Sequence, residues 1–268
     1  VVVLTTGATR FAAFGDTGLA DAGQYAGAAM LGAKCARSGC DFVVMLGDNI
    51  YSSGVSSVSD PLWQSRFEMP YASITQPFYA VLGNHDYGAS GGGTEFFKGA
   101  FEVDYTNYST KWRMPAAYYT FSAGPIDFVG LDTNMQYYQQ DSAQRAAVAG
   151  WLAGSTAPWK IALGHHPYRS NGGHGNAGTY DGVAGRGAGV QSFMDDVVCG
   201  KVDLMLSGHD HNLQWLQPDG TCAGTELIVS GAGANPKVVR VAGMPGYNPV
   251  YFQVGDRLGL AYLVVTDH

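Results

Sequence analysis

The sequence predicts an α/β sandwich, and two observations carry that prediction. Short apolar runs of strand length alternate with stretches of helical periodicity along most of the 268 residues. Five of those runs end in Gly followed by a metal-ligand residue type: FAAFGD ending at Asp16, FVVMLGD ending at Asp48, YAVLGN ending at Asn84, IALGH ending at His165, and LMLSGH ending at His209. In open α/β sheets ligands bind just beyond the carboxyl ends of the strands. The five turns are therefore expected to converge on one place, and carboxylate, amide and imidazole together imply a metal site.

Element by element, the strand before Asp16 is followed by a helix over Asp21 to Ser38, with Ala, Leu and Met at helical spacing and Gly39 as its stop. The Asp48 strand comes next. Pro61 to Tyr71 reads as a short helix, leading to the strand that ends at Asn84. Gly88 to Gly93 is a Gly/Ser/Ala loop before an aromatic helix around Phe96 to Phe101. Tyr118 to Ser122 and Ile126 to Leu131 read as a hairpin turning at Ala123-Gly124-Pro125. Asp141 to Leu152 reads as an amphipathic helix capped by its own Asp. After the His165 strand, Pro167 to Gly189 is Gly-rich and aperiodic, and a loop of that length is functional or mobile by expectation. Val190 to Cys199 reads as a helix before the His209 strand. From Leu213 onward only strand-length runs and turns appear, giving two βαβ-type halves and a β-rich end.

Composition narrows the function. Hydrophobic residues are 46% of the chain and charged residues 14%, which is a compact globular balance rather than a disordered one. The net charge is −7 and Lys and Arg are scattered, so nucleic acid is not an expected partner. A small phosphorylated substrate remains compatible, because a dinuclear metal centre supplies positive charge locally. No apolar run is long enough for a membrane span. The chain begins at Val1 with no charged n-region, as in a mature chain whose leader has been removed. Four cysteines, Cys35, Cys40, Cys199 and Cys222, are compatible either with disulfides pairing the first two and the last two, or with four buried thiols. The Asn107-Tyr108-Ser109 sequon and the paired cysteines favour an exported protein: secreted, periplasmic or extracellular.

Asp48 is the natural bridge of a metal pair, since its two oxygens can ligate two cations roughly 3.5–4 Å apart. Asp16 and His211 could complete one shell, and Asn84, His165 and His209 the other. His209 and His211 are two residues apart, but after Gly208 a turn is expected, which lets the two imidazoles serve different ions. Oxygen and imidazole donors without thiolate suit Fe, Mn or Zn.

The ordered set Gly15-Asp16-Thr17-Gly18, Gly47-Asp48-Asn49-Ile50-Tyr51, Gly83-Asn84-His85-Asp86, Ala162-Leu163-Gly164-His165 and Gly208-His209-Asp210-His211 resembles the calcineurin-like metallophosphoesterases. Within them it resembles the purple acid phosphatases of the small, tartrate-resistant type. Tyr51, three residues after the bridging Asp, carries the narrower likeness: a phenolate is a hard anionic donor suited to a trivalent ion. The resemblance implies a four-layer α/β/β/α sandwich forming a single domain over residues 1–268, and a monomer. It also implies a ferric ion on Asp16, Asp48, Tyr51 and His211, with a divalent ion (Fe, Zn or Mn) on Asp48, Asn84, His165 and His209. The implied reaction is acid hydrolysis of phosphate monoesters by hydroxide formed at the metal pair, with His85 as general acid, Asp86 orienting it, and His174 facing substrate. The alternative is a phosphodiesterase, nucleotide pyrophosphatase or phytase on the same core. Two departures stand out. Ala162 replaces the usual Val, and the short stretch Asn134 to Gln140 leaves little room for the repressive loop of the mammalian enzymes. His166 takes the place of an aromatic and is expected either at the rim or behind the ligands, or as a participant in the reaction.

Overall fold

A computed structural model describes residues 7–266. Two sheets pack face to face. The first has strand order β12-β1-β2-β3-β4, built from β1 (Thr9–Phe14), β2 (Phe42–Leu46), β3 (Phe78–Val81), β4 (Trp112–Arg113) and β12 (Ala261–Val265). The second has order β11-β9-β10-β8-β7-β6-β5. Its strands are β5 (Tyr119–Ala123), β6 (Ile126–Gly130), β7 (Trp159–Leu163), β8 (Leu204–Ser207), β9 (Leu213–Leu216), β10 (Glu226–Ser230) and β11 (Val250–Val254). Within each sheet the strands that carry the Gly-ligand turns run parallel to one another: β1 to β2, β2 to β3, and β7 to β8.

Side-chain alternation builds the layers. Along β1 and β2, Phe11, Ala13, Phe42, Val44 and Leu46 point into the space between the sheets, where they meet Phe128, Ile161, Leu163 and Leu206. The intervening Ala12, Phe14, Val43 and Met45 face outward onto helix α1 (Ala22–Ser38). On the far side, α4 (Ser142–Gly154) and α5 (Ala188–Val197) cover the second sheet through Val148, Leu152, Val190, Phe193 and Met194. Helix, sheet, sheet, helix: the four-layer expectation holds. Among the described residues, no helix is long and apolar enough to cross a membrane.

Differences from the sequence reading are local and have causes. Pro61 to Tyr71 is not a regular helix; it forms turns with a π-helical stretch at Gln64–Glu68. There Trp63, Phe67 and Tyr71 sink into the outer core with Trp112, an aromatic load that sets the local winding. The aromatic helix begins as a 3-10 turn at Phe96–Lys98 and continues as α2 (Gly99–Tyr105). The stretch read as a short link is itself a helix, α3 (Thr133–Gln139), with the Asp132 side chain accepting from the N–H of Met135 as its cap. The two disulfides are Cys35–Cys40 and Cys199–Cys222. They fit an oxidising compartment.

Candidate metal centre

The five Gly-ligand turns meet at the carboxyl ends of the central strands. Hydrogen bonds between the sheets close this end: among them, the Gly15 N–H donates to Ser230 O at 2.8 Å, and the His165 ring bonds Leu46 O at 2.8 Å. Asp16, Asp48 and His209 all sit at positive φ (60°, 52° and 67°). Non-glycine residues there are strained, and such strain clusters at functional sites. The glycines beside them serve close approach. A Cβ on Gly83 would lie 2.2 Å from Asp48 Oδ1, and one on Gly47 2.6 Å from His165 Nδ1.

Two groups of donors result, and they share Asp48. In the first, the Tyr51 hydroxyl lies 2.9 Å from Asp48 Oδ2, 3.2 Å from Asp16 Oδ1 and 3.2 Å from His211 Nε2. In the second, His165 Nε2 lies 3.4 Å from Asp48 Oδ1, 3.0 Å from Asn84 Oδ1 and 3.1 Å from His209 Nδ1. The turn at Gly208 separates His209 from His211 as expected, one to each group. Two of the three imidazoles are aimed by their other face: His165 Nδ1 bonds Leu46 O, and His211 Nδ1 bonds Asn235 O at 2.9 Å. Asn84 is aimed likewise, its amide N–H donating to Gly91 O at 2.8 Å and leaving Oδ1 for the site. Carbonyl partners of this kind fix which ring nitrogen is free to ligate.

The electrostatics call for cations. Asp16 is fully buried, and burial pushes its carboxyl well above the usual range. The Tyr51 phenol is pushed up by burial and then by the charges of Asp48 and Asp16. Burial would also raise Asp48, but the facing His165 outweighs it and the carboxyl ends low. His165 is depressed by burial yet held up at about 9 by Asp48. His209 and His211 go down on burial, His211 to about 4 with Lys237 adding to the effect. Without metal, Asp16, Tyr51 and His165 thus hold protons that bound cations would displace, while His209 and His211 are already neutral donors. The residues present therefore fit a metal pair.

His85 flanks this arrangement. Its N–H donates to Asp48 Oδ1 at 2.9 Å, its ring lies 4.3 Å from that of Tyr51, and Nδ1 bonds Ser52 O at 2.7 Å. Asp86, expected to orient His85, accepts its hydrogen bonds elsewhere among the described residues. Asp86 is buried and accepts from the backbone N–H groups of Asn49, Ile50 and Gly83, tying the Asp48 turn to the Asn84 turn. The Ser52 carbonyl holds the His85 ring instead. His174 stacks on His209 with centroids 4.0 Å apart and bonds Asp181 through Nδ1 at 2.7 Å. His166 is buried behind the ligands, paired with the Thr133 hydroxyl at 2.9 Å. The Gly-rich loop is packed over much of its length, with Arg169, Ser170 and Asn171 buried. Sequence reasoning missed Asp181 and Arg186, which share an ion pair at 2.8 Å on that loop. Only their nearness to the Gly-bounded His174 could have pointed to them.

The fold and this site define a class. Residues 9–213 match the calcineurin-like phosphoesterase family, and the chain belongs to it. Among individual proteins it is similar to Tartrate-resistant acid phosphatase type 5 of Oryctolagus cuniculus, 27% identical over 96% of this chain and 84% of that protein. It is also similar to Purple acid phosphatase 7 of Arabidopsis thaliana, 28% identical over 72% of this chain and 60% of that one. In fold it resembles GAP50, the anchor in the inner membrane complex of Plasmodium, with a TM-score of 0.74 and 20% identity over 97% of this chain and 82% of that one. The yellow lupin purple acid phosphatase PPD1 gives a TM-score of 0.68 and 20% identity over 97% of this chain and 50% of that one.

Proposed function

We propose that the protein is an exported acid phosphatase of the purple type that hydrolyses phosphate monoesters. The observation that carries this reading is the Asp48 carboxylate, whose two oxygens face the Tyr51 group and the His165 group separately. Asp16, Asp48, Tyr51 and His211 would hold ferric iron, and Asp48, Asn84, His165 and His209 a divalent Fe, Zn or Mn ion. Such a pair supplies Lewis acidity: it neutralises the phosphate and acidifies water into a nucleophile. The hard phenol and carboxylates of the first group favour the trivalent ion, while amide and imidazole suit the divalent one.

The chain's own residues do the rest. His85 donates its Nδ1–H to Ser52 O, which leaves Nε2 to carry a proton toward the leaving oxygen. Its side chain is 24% exposed, open enough to recharge from solvent. His174, held through Nδ1 by Asp181, keeps Nε2 for a phosphate oxygen. Asp86 fixes the spacing of the Asp48 and Asn84 turns.

The deciding experiment is metal content and a visible spectrum on protein purified without chelators, followed by a phosphoester panel. Iron with one further metal per chain and a phenolate-to-iron band are expected, and Tyr51→Phe should bleach that band. An unchanged spectrum in the variant removes the purple assignment. His85→Ala should lower turnover roughly 100-fold or more on poor leaving groups, with a smaller loss on activated aryl phosphates; equal losses would refute the acid role. Faster turnover of a bis-ester than of the matching monoester would move the assignment to a phosphodiesterase.

A further inference from the structure

Beside the donor groups lies a cavity of about 330 Å³, large enough to enclose a small-molecule ligand. Asn84 and His209 stand on one side of it, and Tyr137, Tyr138 and Arg186 also line it. Among the described residues, Arg186 is the only Lys or Arg on its wall. From this we propose that Arg186 and the Tyr137–Tyr138 pair form a leaving-group subsite. It selects phosphomonoesters whose planar leaving group carries a second anionic group, a carboxylate or a further phosphate. The proposal rests on the phosphomonoesterase reading and names the substrate class for it.

Three features support the assignment. First, the scissile phosphate would be met by the metal pair that the groups around Asp48 would hold, so a cation on the cavity wall is free to meet a different anion. Second, the guanidinium has N–H groups to spare. One NH1 hydrogen bond goes to Asp181 Oδ2 at 2.8 Å, and a guanidinium carries five N–H donors in a fork that matches carboxylate or phosphate oxygens. The Asp181 charge is moreover shared, since its other oxygen takes His174 Nδ1. Third, the wall is built. The Arg186 N–H donates to Val183 O at 3.1 Å while Arg186 O accepts from the Tyr180 N–H at 3.2 Å, which pins the residue within its turn. The Tyr138 hydroxyl donates to Gly92 O at 2.5 Å, and the Tyr137 ring lies 4.7 Å from that of Tyr138 and parallel to Tyr180 within 11°. A flat leaving group slides against such rings at little entropic cost.

A competing role for Arg186 is to hold Asp181, and through it His174, which would affect every substrate alike. The test separates the two. The metal-loaded enzyme and its Arg186→Ala and Arg186→Lys variants are assayed on phenyl phosphate, on 4-carboxyphenyl phosphate and on 1,4-phenylene bisphosphate. Calorimetry follows binding of benzylphosphonate and 4-carboxybenzylphosphonate to the same proteins. The expected result is that Arg186→Ala lowers kcat/KM for at least one doubly anionic substrate about tenfold more than for phenyl phosphate, a loss of the size a charge-assisted hydrogen bond gives. Arg186→Lys should recover part of it. Intrinsic leaving-group differences cancel in this comparison of variant with wild type, and the arm that responds identifies the second anion. Equal losses on all three substrates, or none on any, overturn the subsite. Failure of the phosphomonoesterase reading looks different: wild type turns over none of the three, while the two phosphonates still report on Arg186.

Discussion

Asp132 shows how one side chain couples an element to pH. It caps α3, accepts from the Tyr87 hydroxyl, and is fully buried. Burial pushes its carboxyl up to about 6 despite those hydrogen bonds. A folded-state value above the unfolded one means that the folded protein binds the extra proton. The stabilisation is complete below about pH 4 and is lost as pH climbs through 6. About two pH units at roughly 1.4 kcal/mol each set the size on the order of 3 kcal/mol. Asp132→Asn keeps the cap and the packing but cannot titrate. Urea midpoints measured from pH 4 to 7.5 should therefore fall less steeply in the variant than in the wild type; parallel slopes would refute the assignment. At this scale the sequence was informative where chemistry is local. The ligand types announced themselves after each Gly, whereas the role of Asp86 did not. A carboxylate one residue from His85 reads as its partner, and only the fold shows three backbone N–H groups claiming it first.

Helix α4 starts at Asp141, whose carboxylate accepts from the N–H groups of Ala143 and Gln144 at 2.9 and 3.2 Å. Removing that cap leaves two donors unsatisfied in the first turn. Asp141→Ala should cost about 1 kcal/mol in chemical denaturation, with the spectrum and metal content of the site unchanged; a neutral result would mean that Ser142 or water replaces the cap. Helices α1 and α4 were legible because Asp caps precede long stripes of Ala, Val and Leu. Helix α3 was not, since TNMQYYQ is polar and only seven residues long. Its helicity comes from Asp132 at one end and from packing against α5 through Gly189, where a Cβ would lie 2.2 Å from Gln136 O. That helix carries Tyr137 and Tyr138, so the local pattern hid one side of the cavity. Strand β4, two residues long, exists only because β3 offers it an edge.

Across the whole molecule, three buried carboxyls besides Asp16 titrate in the same direction. Asp86 is raised to about 7 by burial and then by Asp48, and Glu102 is raised further by burial and by Asp86. With Asp132 they make the metal-free protein more stable at mildly acidic pH than at neutrality, so its melting temperature should rise as pH is lowered from 7.5 to 5.5. A fall over that range would show that the paired carboxylates elsewhere dominate. The Cys199–Cys222 bond closes a loop spanning 23 positions, which by chain entropy stabilises the fold by about 3 kcal/mol. Without reductant neither thiol should label, and Cys222→Ser should lower stability by that order. The sandwich was legible as alternating runs, and the pairing of β12 with β1 was not, because an apolar run does not say which sheet it joins. The convergence of the five turns has a last consequence. Their donors are spread from position 16 to position 211 over both sheets, so no fragment of the chain assembles either nest of ligands. If the chain binds metal as proposed, loading would be a maturation checkpoint, passed only by molecules in which both sheets have already closed on each other, and colour would be a stamp of completed biogenesis.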